Sequence, residues 1–178
     1  MVKAEWFHLL PDPAVEELNM KRTPEFSRSY PYFMTAEAFQ NLDDSTVFYE
    51  YSGRAAQSDF LFNPTFMIGE RLHTIFSLLE PDIEFKSLSL IDREKKEAAP
   101  VPLYYIPFLP WEDALAPGTV VQNGRAATIK LRGSALQERR ILHCRLPAQD
   151  IWLASLEAAE CILRRVPLGL KLQKVAVL

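Results

Sequence analysis

The chain has 178 residues, of which 48% are hydrophobic and 24% are charged, and its formal net charge is −3. These values are close to those of ordinary soluble domains, and they exclude a chain that is disordered throughout. The charge balance also argues against a general nucleic-acid binder, which normally carries a basic excess or a basic stripe. The unusual part of the composition is its 13 prolines against 6 glycines.

The length allows a single domain over residues 1–178, with two subregions at 1–111 and 119–178 as the alternative. The two cysteines, Cys144 and Cys161, make neither a disulfide framework nor a Cys-x-x-Cys pair. The first ten residues lack the apolar core of a signal peptide, and no stretch reaches about 18 uninterrupted apolar residues. We therefore expect a cytoplasmic protein with no membrane span.

Short elements are predicted for the first third of the chain. An opening strand is predicted at residues 6–9, and loops rich in proline and aromatic residues follow it as far as Tyr32. Thr35 is expected to begin a short helix, because its hydroxyl can accept a hydrogen bond from an early amide. The aromatic and β-branched run at residues 47–51 favours a strand.

The clearest helix is predicted to start after Asn63, a capping residue that is followed by proline. Its apolar residues recur at helical spacing and define one buried stripe: Ile68, Leu72, Ile75, Phe76 and Leu79. Pro81 ends this helix, and residues 85–91 read as a strand. The mixed charge run at residues 92–97 is expected to be a solvated turn.

Four prolines surround the aromatic segment at residues 103–106, which predicts a short strand near a sheet edge, because proline cannot donate to a central ladder. A polyproline recognition segment is the alternative reading of this stretch. Asn123-Gly124 is typical of the turn of a β-hairpin. Residues 139–146 predict a further strand.

A second main helix is predicted from Asp150 to Arg165, with apolar residues at helical spacing: Leu153, Leu156, Ala159, Ile162, Leu163 and Val166. Pro167 ends it, and a strand at residues 170–177 follows. The same order of helix, proline and strand occurs around Pro81. We therefore expect an α+β fold of mostly antiparallel strands with two main helices, in which two helix–strand units pack on one sheet.

Five segments carry a family resemblance: Asp59-Phe-Leu, Ile68-Gly-Glu-Arg-Leu, Leu79-Glu-Pro-Asp, Phe85-Lys-Ser-Leu and Leu103-Tyr-Tyr-Ile. Together with the last helix and Leu168-Gly-Leu-Lys, they resemble a bacterial family of uncharacterised proteins. Some members of that family are described as immunity proteins of polymorphic-toxin systems. The resemblance implies a protein that binds a secreted toxin domain, and it implies no catalytic residues and no cofactor.

The residues themselves offer little for catalysis. No pair of histidines has the spacing of a helical metal site, so no metal site is predicted from His8, His73 and His143. His143 and Cys144 are adjacent on a predicted strand, where neighbouring side chains point to opposite faces. A small hydrolase or transferase that uses Cys144 or a carboxylate cluster is the alternative function. The acidic pairs Asp43-Asp44 and Glu16-Glu17 lie in polar stretches and are interpreted as solvated loop residues.

The leading prediction is a non-enzymatic protein-binding module, an immunity protein that sterically occludes a cognate toxin. Aromatic anchors inside a polar rim would make such an interface, and the candidates are Trp6, Tyr30, Tyr32 and Trp111. A net charge of only −3 would attract a basic partner weakly. A homodimer with a structural role is the third alternative.

Overall fold

The computed structural model describes residues 4–16, 19–20, 34–42, 47–52, 58–63, 65–92, 103–136 and 138–178. The α-helices are α1 (Ala36–Gln40), α2 (Glu70–Leu79) and α3 (Leu156–Leu163). The strands of the first half are β1 (Trp6–Pro11), β2 (Asn19–Met20), β3 (Val47–Ser52), β4 (Phe60–Leu61), β5 (Met67–Gly69), β6 (Glu84–Asp92) and β7 (Leu103–Phe108). Those of the second half are β8 (Val120–Gln122), β9 (Arg125–Thr128), β10 (Lys130–Leu131), β11 (Ile141–Leu146), β12 (Gln149–Ser155) and β13 (Leu170–Val177).

Two main sheets carry this α+β fold. Sheet I has the order β2-β3-β6-β7-β5-β4, sheet II has the order β10-β13-β1-β12-β11, and β8 and β9 form a separate ribbon. Most neighbours are antiparallel, while β3 with β6 and β10 with β13 pair in parallel. The two helix–strand units thus lie on two sheets, and the expectation of one shared sheet is wrong.

The two sheets repeat one topology. In sheet I, α2 connects β5 to β6, and the antiparallel strand β7 lies between those two strands. In sheet II, α3 connects β12 to β13, and β1 lies between them. The hairpin of β4 and β5 corresponds to that of β11 and β12, and β3 corresponds to β10. The first strand of the chain therefore takes, in sheet II, the position that β7 takes in sheet I.

The correspondence extends to single residues. Phe60 pairs with Ile68 in sheet I, as Ile141 pairs with Ala154 in sheet II. Just before these pairs, the amide of Gly69 donates to Asp59 O at 2.8 Å. The amide of Ser155 donates to Arg140 O at 2.9 Å in the same place. Gly69 and Ser155 are thus equivalent N-caps, each ending a strand and starting a helix.

Each sheet buries apolar residues of its described central strands on two faces. The inner faces and helices α2 and α3 share one apolar core, which includes Phe66, Phe76, Trp152 and Ile162. The outer face of sheet I packs against Phe39 of α1. The outer face of sheet II is covered by the connection between β7 and β11. Apolar side chains on both faces of β5 and β12 explain why these two sequences lack simple alternation.

Both main helices start about six residues later than predicted. α2 begins at Glu70, so Asn63 does not cap it, and α3 begins at Leu156 instead of Asp150. The preceding residues form β5 and β12, whose central residues are buried on both faces. A fully buried strand cannot be distinguished from a buried helix segment by apolar spacing, which is why the prediction extended the helices.

Several local predictions are confirmed. The opening strand forms as β1, and residues 47–52 form β3. Thr35 Oγ1 accepts a hydrogen bond from Ala38 N at 3.1 Å at the start of α1. Asn123 and Gly124 have φ of 51° and 74°, as the hairpin turn between β8 and β9 requires. Residues 93–97 of the charge run lie outside the described residues.

The predicted edge position of β7 is wrong. This strand lies between β6 and β5 in sheet I. Proline is tolerated there because β5 pairs only with Tyr104 and Tyr105, so that Pro107 has a neighbouring strand on the β6 side alone.

Candidate functional site

The four candidate anchors occupy different environments. Trp6 is only 2% exposed and packs in the core on the outer face of sheet II. It is therefore a core residue, and its interpretation as a surface anchor is corrected, because the central strand β1 is covered on both faces. Tyr30 and Tyr32 lie outside the described residues. Trp111 is 55% exposed, in the connection that follows β7.

The loop that carries Trp111 is fixed on both sides by one residue. Leu109 O lies 2.8 Å from Nδ1 of His143, and the amide of Glu112 donates to His143 O at 2.8 Å. Because a carbonyl only accepts, Nδ1 carries the hydrogen in the first contact. The side chain and the main chain of His143 thus hold the loop two residues before and one residue after Trp111.

Charged residues flank the exposed indole on the following side. The Glu112 carboxylate pairs with Arg139 Nη2 at 2.7 Å, and the Asp113 carboxylate pairs with Arg132 Nη2 at 3.1 Å. These pairs provide a polar border beside an apolar ring, which is the composition of a protein interface at its anchoring residues.

His143 itself is buried and held by stacking. Its ring lies parallel to that of Trp152, with centroids 4.6 Å apart. Its Nε2 lies 3.1 Å from Asp150 Oδ1, an oxygen that also accepts from Arg145 Nε at 2.9 Å. The contact between Nε2 and Asp150 lacks hydrogen-bond geometry. Among the buried side-chain nitrogen and oxygen atoms of the described residues, Nε2 is the one that makes no hydrogen bond.

The adjacent thiol is not arranged for nucleophilic chemistry. Cys144 is fully buried in the core on the outer face of sheet II, whereas His143 stacks on the inner face. The predicted opposite orientation of these two neighbours is confirmed. Burial raises the pKa of Cys144 to about 11, so the side chain is a protonated thiol at neutral pH. Both features disfavour a thiolate nucleophile at this position.

The other candidates for chemistry are packed or lie outside the described residues. His73 stacks on Tyr105 with ring centroids 4.1 Å apart and contacts the ring of Phe85. Cys161 is half-buried against the shared core. Asp43, Asp44 and Glu17 belong to the residues that are not described. Within the described ranges, no three His, Cys, Asp or Glu residues group as metal ligands would.

The sequence predictions missed an exposed apolar surface at α3. Leu156, Leu163 and Val166 belong to the apolar residues at helical spacing in the second predicted helix, but all three are exposed, as is Leu168. An eight-residue helix can bury one face, and Ala158, Ala159 and Ile162 already fill that face. The helix contains more apolar residues than one buried face can hold, and this excess in the sequence could have indicated an exposed apolar surface.

The chain matches no protein-family model, and no curated protein matches its sequence. No helix formed by the described residues is both long and apolar enough to cross a membrane.

Proposed function

We propose that this protein is a non-enzymatic protein-binding module, with Trp111 as its central anchor. The observation that carries the proposal is a tryptophan 55% exposed on a loop tied to His143 at Leu109 and Glu112. A large rigid side chain on a fixed loop loses little conformational entropy when it enters a pocket of a partner. Such a residue is suited to binding by shape.

The partner class that we propose is a bacterial toxin domain, which this protein would inhibit by covering its active surface. The resemblance of residues 59–105 and 150–177 to a family with immunity proteins supports this choice. Cys144 is buried and its thiol is therefore protonated at neutral pH, which favours a binding protein over an enzyme that uses this thiol. With a net charge of −3, electrostatic attraction contributes little, and the fit of apolar surfaces contributes most.

The test uses the secreted-toxin candidate encoded beside this gene, because immunity and toxin genes are normally neighbours. We expect the purified toxin domain to bind this protein, and co-expression to restore the growth of cells that produce the toxin. Trp111→Ala should weaken binding by roughly 30-fold or more, as truncation of an anchoring tryptophan does. The affinity is read by isothermal titration calorimetry.

Leu78→Ala is the matched control, since Leu78 is also an exposed large apolar residue but lies on α2. It should change the affinity by less than about twofold, as a residue outside the anchor does. Equal losses in both variants would contradict a role for Trp111 as the anchor. Failure of every neighbouring gene product to bind would contradict the toxin partner.

A further inference from the structure

The outer face of α3 combines apolar and charged residues in an ordered way. Leu156 and Leu163 are seven residues apart, so they lie on the same side of the helix, and both are exposed. Glu160 and Arg164 lie one turn apart on the same outer face. The opposite face packs into the shared core. The exposed surface is thus a stripe with leucines near both ends and charges beside them.

The charges are separated along the helix. Glu157 lies in its first turn, while Arg164 and Arg165 follow its last residue. A second copy packed antiparallel about a two-fold axis would place this acidic part against the basic part of the first copy. Leu156 of one copy would then face Leu163 of the other, twice in the same interface. A surface with this property is complementary to itself, as a two-fold dimer requires.

We propose that α3 is the interface of a homodimer in which two copies of this chain pair antiparallel along this stripe. Val166, which is 83% exposed, and Leu168 extend the apolar surface beyond the end of the helix. An α-helix of eight residues spans only about 12 Å, so the buried area is smaller than the roughly 800 Å² per partner of a standard interface. The dimer is accordingly weak and reversible, and it forms independently of the surface around Trp111.

Sedimentation equilibrium over a concentration series tests the proposal. The mass of wild type should rise from 20.4 kDa toward twice that value with increasing concentration. Leu163→Glu should keep the protein monomeric, because it places a carboxylate in the apolar contact. Leu78→Glu, at the 75% exposed leucine of α2, is the control and should dimerise like wild type.

A charge exchange tests the antiparallel arrangement itself. Glu157→Arg and Arg164→Glu should each weaken dimerisation by about tenfold, since each puts like charges together in both symmetric contacts. The double variant restores opposite charges and should return the dissociation constant to within about threefold of wild type. Urea unfolding of each variant as a monomer separates this effect from the loss of the Glu157–Arg140 and Glu160–Arg164 pairs within one chain.

Two outcomes would overturn the proposal. In the first, wild type remains at the monomer mass up to the highest concentration. In the second, the Leu163→Glu variant dimerises as strongly as wild type, which would place the interface elsewhere. Binding of the toxin to Trp111 is measured separately, so failure of the dimer does not affect that proposal.

Discussion

The strand–helix–strand unit of sheet I and that of sheet II have the same topology. In each unit the segment after the helix is hydrogen-bonded to the other unit, but the groups that make these hydrogen bonds differ. After α2, the buried carboxylate of Glu80 accepts hydrogen bonds from the amides of Arg140 and Ile141 at 2.5 and 2.8 Å. After α3, the main chain of Leu168 exchanges hydrogen bonds with Asp59 instead. The Glu80 carboxylate thus makes one closure, whereas the other combines a main-chain bond from Asp59 N to Leu168 O with a bond from Leu168 N to the Asp59 carboxylate. The shared fold therefore does not depend on one set of closing bonds.

The two units also carry an ion pair at equivalent positions, with its charges exchanged. In sheet I, Asp59 precedes β4 and accepts from Nε and Nη2 of Arg71 on α2, at 2.8 and 2.6 Å. The bonds and charge of Asp59 raise the pKa of the Arg71 guanidinium. In sheet II, Arg140 precedes β11 and its Nε lies 3.1 Å from Glu157 of α3. The same position thus holds a pair of opposite charges in both units, with opposite polarity.

The largest expected effect concerns the closure by Glu80. Its side chain is almost fully buried, and Glu80→Ala leaves two amides of sheet II without their acceptor. We expect a loss of about 3 kcal/mol in the free energy of unfolding, measured in urea. Val166 occupies the equivalent position after α3 and is exposed, so Val166→Ala should change stability by less than about 0.5 kcal/mol. Similar losses in both variants would contradict the asymmetry of the closures.

The closure after α3 requires a glycine directly after Leu168. Gly169 has φ of 87°, and a Cβ at this position would overlap Ser58 Oγ and lie 3.0 Å from Ser58 Cβ and 3.1 Å from Phe60 O. Gly169→Ala should therefore lower the free energy of unfolding by about 2–3 kcal/mol. Gly118→Ala is the matched control, because Gly118 has φ of 91° but faces the flexible end of Lys130. It should cost only about 1 kcal/mol, and equal losses would show that the close approach to Ser58 is not limiting.

Local patterns predicted most of the elements, and long-range contacts explain what they missed. The turn at Asn123-Gly124 and the cap at Thr35 depend on neighbouring residues, so the sequence alone was sufficient for both. The position of β1 between β12 and β13 depends on pairing across about 150 residues, which no local pattern encodes. In the candidate site, residue type suggested both Trp6 and Trp111, but only the tertiary structure decides which of two tryptophans is exposed.

A pH effect is expected from sheet II and not from the equivalent place in sheet I. His8 on β1 is buried, and burial lowers its pKa from 6.5 to about 4, whereas the equivalent residue on β7 is the buried Ile106. Between pH 6.5 and 4 the unfolded chain binds a proton at this histidine that the folded chain excludes. The contribution of neutral His8 is therefore complete above pH 6.5 and is lost as the pH falls toward 4.

The expected loss from His8 at pH 5 is about 2 kcal/mol relative to neutral pH. His8→Ile introduces the residue type that Ile106 provides at the equivalent position of sheet I. It should remove the contribution of His8 from the pH dependence of the free energy of unfolding, measured in urea between pH 7 and 5. An unchanged slope in the variant would mean that other groups account for the acid sensitivity. His8→Gln, which is polar but does not titrate in this range, separates the loss of titration from a change in packing.

The smallest expected difference concerns the exchanged ion pairs. Double-mutant cycles to alanine should give a coupling energy of about 1 kcal/mol for Asp59 with Arg71, and about 0.3 kcal/mol for Arg140 with Glu157. The first pair makes two short hydrogen bonds to a mostly buried carboxylate, and the second makes one contact between exposed side chains. The amide of Leu168 also loses its Asp59 acceptor, but that loss occurs in both variants lacking Asp59 and cancels in the cycle.

Added salt should reduce the weaker coupling proportionately more, because solvent ions reach the exposed pair. Equal couplings would mean that the position tolerates either polarity because neither pair contributes more than surface charges do.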